Sequence, residues 1–172
     1  MTVVELFIKE HALFRVLLDK LELDLAQTEE RARADVSEAL RTLLPALDRH
    51  AEIEDVVFRD PPDIADDRGQ ALEEVETQHR ELARLRDEVL LALEESLDEY
   101  PLEELRRLTA SLIGNLRIHL ETEEARLWPL YRSALARSLD AVVPIHIDKR
   151  AQALESALDR GIAAISHGSP AK

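Results

Sequence analysis

The chain has 172 residues, of which 36 are acidic and 22 are basic, so its formal net charge is -14. This length suits a single domain, and the acidic excess should repel nucleic acid and anionic lipid while attracting metal cations. The four glycines cannot be arranged into either common phosphate-binding motif. The lack of cysteine excludes thiol catalysis, disulfides and iron–sulfur clusters, and it favours a cytoplasmic protein.

The first residues carry acidic side chains and a histidine where a signal peptide needs a basic start and an unbroken apolar run. No apolar stretch approaches the ~20 residues of a membrane span. We therefore expect neither a leader peptide nor contact with a membrane. Leucine and alanine dominate the composition, whereas glycine and aromatic residues are few, which is typical of an all-α protein.

Apolar periodicity and turn residues predict the helices in chain order. The first helix is expected over about 2–28, with apolar residues three and four apart. The polar stretch 29–35 predicts a turn before a second helix, which Pro45 should bend. The segment 60–69 is rich in turn formers and predicts a loop.

The third helix is expected from that loop to about residue 97, and Pro101 predicts the start of a fourth, which ends near Pro129. Four amphipathic helices with short connections predict an up-down-up-down bundle over 1–136. A fifth amphipathic segment at about 140–165 belongs to an accessory helical region, 137–165, packed on the bundle or against a partner, which would allow a homodimer. Residues 166–172 are expected to form a flexible tail.

Polar residues interrupt the apolar stripes that should form the core of this bundle. Two histidine–glutamate pairs have a spacing of four, so each pair shares one helix face and can reach a common point. Because burying an unpaired carboxylate costs several kcal/mol, each buried glutamate needs a partner of opposite charge or a hydrogen-bond donor. The residues concerned are His11, His50, Glu54, His79, His119 and Glu123.

Counting along the helices predicts that the histidines share one layer. His11 and His50 are almost equally far from a turn centred near residue 31, and the two later histidines are equally far from a turn near residue 99. Neighbouring antiparallel helices should therefore bring each pair to the same level. Two buried glutamate–histidine ion pairs are the alternative to a shared binding site.

The pattern of these residues resembles that of the hemerythrin-like, or HHE cation-binding, family: a histidine, then HxxxE, then a histidine, then HxxxE across four helices. The resemblance covers about 4–131 and includes the residues around both HxxxE motifs, 50–58 and 119–129. It implies that the four histidines are metal ligands and that the two glutamates bridge two iron ions joined by an oxo or hydroxo group. Imidazole and carboxylate groups suit iron on chemical grounds too, although they also accept manganese or zinc.

The sequence departs from the oxygen-carrying members of that family at one position. Those proteins have a fifth histidine one turn before the ligand on helix three, where this chain has Val75. Around two six-coordinate irons, the remaining ligands then leave about two positions open, one on each metal. Two open positions, one on each metal, favour binding of hydrogen peroxide across both irons over simple carriage of dioxygen.

Two nearby polar residues bear on that ligand count. Glu76 lies three residues before His79, a spacing that other di-iron bundles use for ligands, and as a ligand it would close one open position. A solvent-facing helix position explains it as well. Asn115, one turn before His119, could hydrogen-bond an oxygen species or simply mark the edge of the stripe.

Three functions are compatible with these features. A redox enzyme of the catalase or peroxidase type would disproportionate or reduce hydrogen peroxide at a di-iron site. A binding module would take up dioxygen, nitric oxide or iron itself for sensing, storage or delivery, as the lack of a recognisable general base suggests. A helical interaction protein would keep a structural metal and use the fifth helix for docking.

Overall fold

The computed structural model describes residues 1–27, 29–58, 67–94 and 101–142. A π-helical segment continues the fourth helix and is followed by three short helical turns. Within the described ranges no β-strand is formed, so the predicted all-α class is confirmed. The helices are α1 (Val3–Leu25), α2 (Glu29–Phe58), α3 (Asp67–Glu94), α4 (Leu102–Thr122), the π-helical segment (Glu123–Leu127), α5 (Trp128–Leu130), α6 (Arg132–Leu135) and α7 (Leu139–Val142).

The four long helices form the predicted up-down-up-down bundle, in which α1 packs along α2 and α4, and α3 packs along α4. A large cluster of buried aliphatic side chains, including Leu18, Leu40 and Leu108, fills one end. A smaller cluster around Phe7 and Tyr131 fills the other end. The stretches of helix that carry the polar candidate residues lie between these two apolar clusters.

The N-terminus of α1 has a capping box. The Thr2 hydroxyl accepts a hydrogen bond from the amide of Glu5 at 3.3 Å, and the Glu5 carboxylate accepts one from the amide of Thr2 at 2.8 Å. These bonds satisfy two amides that a helix start leaves unpaired. The chain after α6 returns here, since the amide of Val3 donates to the carbonyl of Arg137 at 3.3 Å.

The predicted turn at 29–35 is wrong, because α2 already begins at Glu29. The first helix instead ends at Leu25, with Ala26 as its C-cap. Glutamate, arginine and alanine are good helix formers, and acidic residues are favourable at a helix N-terminus. The polar stretch therefore lengthens the helix. As expected, α2 continues through Pro45 as one helix.

Pro101 caps α4, which begins at Leu102 as predicted. The end of the predicted 60–69 loop is helical, because α3 begins at Asp67. The rest of that loop, the end of the third helix near residue 97, nearly all of the predicted fifth helix and the tail 166–172 lie outside the described residues. No helix in the described part of the chain is long and apolar enough to cross a bilayer.

Candidate metal centre

The structure brings all six candidate residues of the sequence analysis together in one layer of the bundle. They form two groups of four, and in each group the candidate ligand atoms lie within 4.8 Å of one another. Both groups contain the two glutamates. We call the group with His11 and His50 the inner position and the group with His79 and His119 the outer position.

Glu54 faces both positions with a different oxygen. Helical spacing of four places its Oε1 atom 3.1 Å from Nε2 of His50, on the inner side. Its Oε2 atom lies 3.2 Å from Nε2 of His79, on the outer side. The Glu54 side chain is only 1% exposed, so this divided orientation occurs in the protein interior.

Glu123 repeats the arrangement from α4. Its Oε1 atom lies 3.2 Å from Nε2 of His119, four residues earlier, and its Oε2 atom lies 3.3 Å from Nε2 of His11 on α1. Each glutamate thus presents one oxygen to the inner position and one to the outer position. This geometry suits two cations bridged by two carboxylates.

The chemistry of these atoms fits a pair of metal ions. All four oxygens of Glu54 and Glu123 are buried and lack a hydrogen bond in the structure. On the inner side, Nε2 of His11 and Nε2 of His50 lie 3.2 Å apart. Two ligand atoms about 2.1 Å from one metal and about 90° apart would be separated by about 3.0 Å. Because unbonded buried oxygens destabilise a protein, a cation would supply the missing partner.

Carboxylates orient both inner imidazoles from behind. Nδ1–H of His50 donates to Oε2 of Glu10 at 2.9 Å, and Nδ1–H of His11 donates to Oε1 of Glu124 at 2.8 Å. In a neutral imidazole with its proton on Nδ1, the lone pair of Nε2 points to the centre, as metal ligation requires. Metal binding at His50 would therefore displace the proton that the metal-free ring carries on Nε2.

Arginines pair with these two carboxylates. Arg49 donates to Glu10, and Nη2 of Arg15 donates to Oε1 of Glu124 at 2.8 Å. Partial burial opposes ionisation of Glu124, but its bonds to His11 and Arg15 outweigh burial and lower its pKa below the usual value.

A neutral amide orients the outer imidazole of His119. Its Nδ1–H donates to Oε1 of Gln78 at 3.2 Å, and Nε2 of Gln78 donates to the hydroxyl of Thr122 at 3.1 Å. The Thr122 hydroxyl in turn donates to the carbonyl of Ile118 at 2.8 Å, which fixes the orientation of the amide. For the other outer candidate, His79, the described residues provide no hydrogen bond to Nδ1.

Three residues beside the centre were not predicted from the sequence: Glu10, Gln78 and Glu124. Each is the immediate sequence neighbour of a candidate ligand, yet each bonds a histidine on another helix. A polar residue directly beside a buried ligand position was the available signal. Which histidine it would reach depends on how the helices pack.

Burial and the neighbouring charges shift the pKa values of the ionisable groups in the centre. Burial lowers the pKa of His119 to about 3. Burial, and to a smaller extent the charge of His50, lowers the pKa of His11 to about 4. Burial would also lower the pKa of His50, but Glu54 and Glu123 outweigh it and raise that pKa to about 10. Burial and then the charge of Glu54 raise the pKa of Glu123 well above its usual value. The two carboxylates therefore favour a cationic partner.

The other sequence candidates lie outside the two groups of ligand atoms. Glu76 is exposed, as its solvent-facing interpretation expects. The amide of Asn115 donates to the carbonyl of Ser111 at 2.9 Å, one turn earlier in α4. Val75, at the position of the additional histidine of oxygen carriers, is 2% exposed and belongs to the smaller apolar cluster.

A π-helical segment begins at Glu123 itself. Such segments are rare and are frequent at functional sites. Pro129 lacks the amide that would bond back into the preceding turn, so regular α-helical bonding cannot continue through it. In the structure Glu123 faces the centre while the adjacent Glu124 reaches His11, so two consecutive carboxylates serve the same site.

A cavity of about 90 Å³ reaches the outer position between α2 and α3. Its lining includes the outer residues His79 and His119 and also Glu54 and the inner residue His50. Ala83 forms part of the wall, and Asp48 and Arg86, also in the lining, form an ion pair between the two helices. Because this volume exceeds the ~30 Å³ that one water molecule occupies in the liquid, the cavity can admit molecules of a few atoms.

Comparison with protein families matches residues 70–162 to the hemerythrin HHE cation binding domain. The match covers more than half of the chain and includes His79 and the second HxxxE motif, so it coincides with most of the outer position. Neither a curated protein nor a solved structure was matched. The chain therefore belongs to the hemerythrin HHE cation-binding family.

Proposed function

We propose that the protein holds one iron ion at the inner position and one at the outer position, and that it disproportionates hydrogen peroxide there. The observation that carries this proposal is the divided orientation of Glu54 and Glu123, with one oxygen of each facing each position. Bound iron would supply the redox chemistry. Two peroxide molecules give two waters and one dioxygen, so the reaction needs no external electron donor.

The ligand count supports a reactive centre over a closed structural one. Each position has two imidazoles and one oxygen from each glutamate, which makes four ligands. An oxo or hydroxo bridge would raise this to about five of six for each iron. Val75 cannot ligate and Glu76 is exposed, so one position on each iron remains for a small molecule.

The surrounding residues would admit such a molecule and limit access of bulk water. The Phe7 ring lies 5.0 Å from the ring of His50, and the Trp128 ring lies 4.7 Å from that of His11, so aromatic side chains cover the inner position. The outer position adjoins the cavity, where the His79 side chain is 25% exposed. Substrate would therefore enter from the side of α2 and α3.

Iron-loaded protein should evolve dioxygen from hydrogen peroxide, and His50→Ala should lower the rate on the order of 100-fold or more. Removal of a residue that only hydrogen-bonds a ligand costs about 10–100-fold, and loss of a ligand itself should cost more. An oxygen electrode measures the rate. Controls are ferrous salt at equal concentration and Arg80→Ala, a change at an exposed residue next to His79. Equal rates from His50→Ala and the unaltered protein would contradict the proposal.

Filling the cavity should slow access without removing the metal. Ala83→Leu places three more carbons in the lining, so we expect lower kcat/KM for peroxide with about the same iron content. Ala110→Leu, at an exposed residue of α4, is the matched control. If both variants react with peroxide at the same rate, substrate does not use this cavity.

Reversible binding of dioxygen or nitric oxide is the second candidate. One observation favours it: apart from the candidate ligands, Asp48 and Arg86 are the only ionisable residues of the described cavity lining, and they are paired with each other. The cavity thus offers no separate proton donor or acceptor beside the ligands. A reversible spectral change on adding and removing dioxygen, with no turnover of peroxide, would support this function instead.

A further inference from the structure

We propose that the two metal positions are unequal: the inner position binds its ion first and more tightly, and the outer position binds a weaker, exchangeable ion. Glu10 and Glu124 are the positioning residues that cause the difference. The inference rests on the two-metal site of the proposed function, but it does not depend on which reaction occurs there.

The two positions differ in the groups that hydrogen-bond the imidazoles from behind. Both inner histidines donate Nδ1–H to carboxylates, Glu10 and Glu124, at 2.9 and 2.8 Å. Such bonds fix the ring and make the facing nitrogen a stronger donor to metal. At the outer position His119 bonds the neutral amide of Gln78 at a longer 3.2 Å, and no described residue bonds Nδ1 of His79.

The two positions also differ in burial. The imidazoles of His11, His50 and His119 are 0%, 3% and 3% exposed, whereas that of the outer residue His79 is 25% exposed. The cavity borders His50, His79 and His119 but not His11. Water can therefore reach His79 and compete for the outer ion. The rings of Phe7 and Trp128 pack against His50 and His11, so water reaches the inner imidazoles less readily.

An arginine balances the charge of each carboxylate behind the inner imidazoles. Glu10 and Glu124 each accept a hydrogen bond from an arginine, Arg49 and Arg15 respectively, so each carboxylate has an adjacent guanidinium group that balances its charge. Their effect on the inner ion therefore acts through the bonded imidazoles rather than through long-range attraction. Loss of one carboxylate should change one binding step more than the other.

Titration of the metal-free protein with Co²⁺, followed by its visible absorption and by native mass spectrometry, tests this inference without an activity assay. We expect two ions per chain, the first bound at least about tenfold more tightly. Glu10→Gln and Glu124→Gln should each weaken the tighter step by about 10–100-fold and change the weaker step much less. Gln78→Glu should tighten the weaker step, because it places a carboxylate behind His119.

The matched control is Glu22→Gln. It also removes a carboxylate from an arginine, Arg117, but on the exposed surface, so both binding steps should stay unchanged. Two equal steps in the unaltered protein, or equal weakening of both steps by Glu10→Gln, would overturn the inference. If Glu10→Gln does not fold, Glu124→Gln and Gln78→Glu provide the same test.

The outcome separates this inference from the proposed reaction. Two unequal steps in a protein that does not consume peroxide would support the inference and remove the peroxide function. Two equal steps in an active protein would do the reverse.

Discussion

Glu123→Gln should empty both metal positions and, at the same time, make the metal-free protein more stable. The substitution keeps the shape of the side chain and removes its charge. Glu123 presents one oxygen to each position, so the loss of this one carboxylate weakens the binding of both ions. We expect well under one iron per chain after loading, against about two for the unaltered protein.

The gain in stability follows from the surroundings of this carboxylate. Glu123 is 0% exposed, both its oxygens lack hydrogen bonds, and Glu54 lies in the same layer. Without metal, two acidic groups are held together in a medium that solvates charge poorly. A neutral amide relieves this conflict, and we expect a gain of about 1 kcal/mol, or about 2–4 °C in Tm.

Elemental analysis gives the iron content, and calorimetry after chelation gives the Tm. Glu121→Gln, at an exposed residue two positions earlier on the same helix, is the matched control and should change neither. A Glu123→Gln protein that keeps two irons would show that the carboxylate is not a bridging ligand. A lower Tm of its metal-free form would show that the charge is compensated within the protein.

Removal of metal from the unaltered protein should lower its Tm by about 8–16 °C. An ion present at about 1,000 times its Kd stabilises the folded state by about 4 kcal/mol, and each kcal/mol corresponds to about 2–4 °C for a chain of this size. All four long helices contribute candidate ligands, so the metal would connect the whole bundle.

Calorimetry of iron-loaded and chelator-treated samples measures this shift. Glu123→Gln serves as the control, because a protein that binds little metal should show almost no change on chelation. If the unaltered protein has the same Tm in both states although elemental analysis finds iron, the ions do not bind selectively to the folded layer that we describe.

The sequence by itself was sufficient for the fold class and for selecting six residues that the structure brings together. Helical periodicity is a local property, and a polar residue such as Glu54 on an apolar stripe can be identified without knowing what it touches. Counting residues worked for His79 and His119, because Pro101 indicates where α4 begins. It placed the first turn wrongly, since the polar residues after Glu29 also favour a helix.

Only the tertiary structure decided how the ligands differ from one another. Glu10 and Glu124 look like any surface glutamates in the sequence, and they become partners of His50 and His11 only through the packing of α1 against α2 and α4. The cavity beside His79 likewise depends on where α2 and α3 leave space between them. Periodicity determines which face of a helix is buried, whereas contacts between helices depend on rotation and offset, which no single segment encodes.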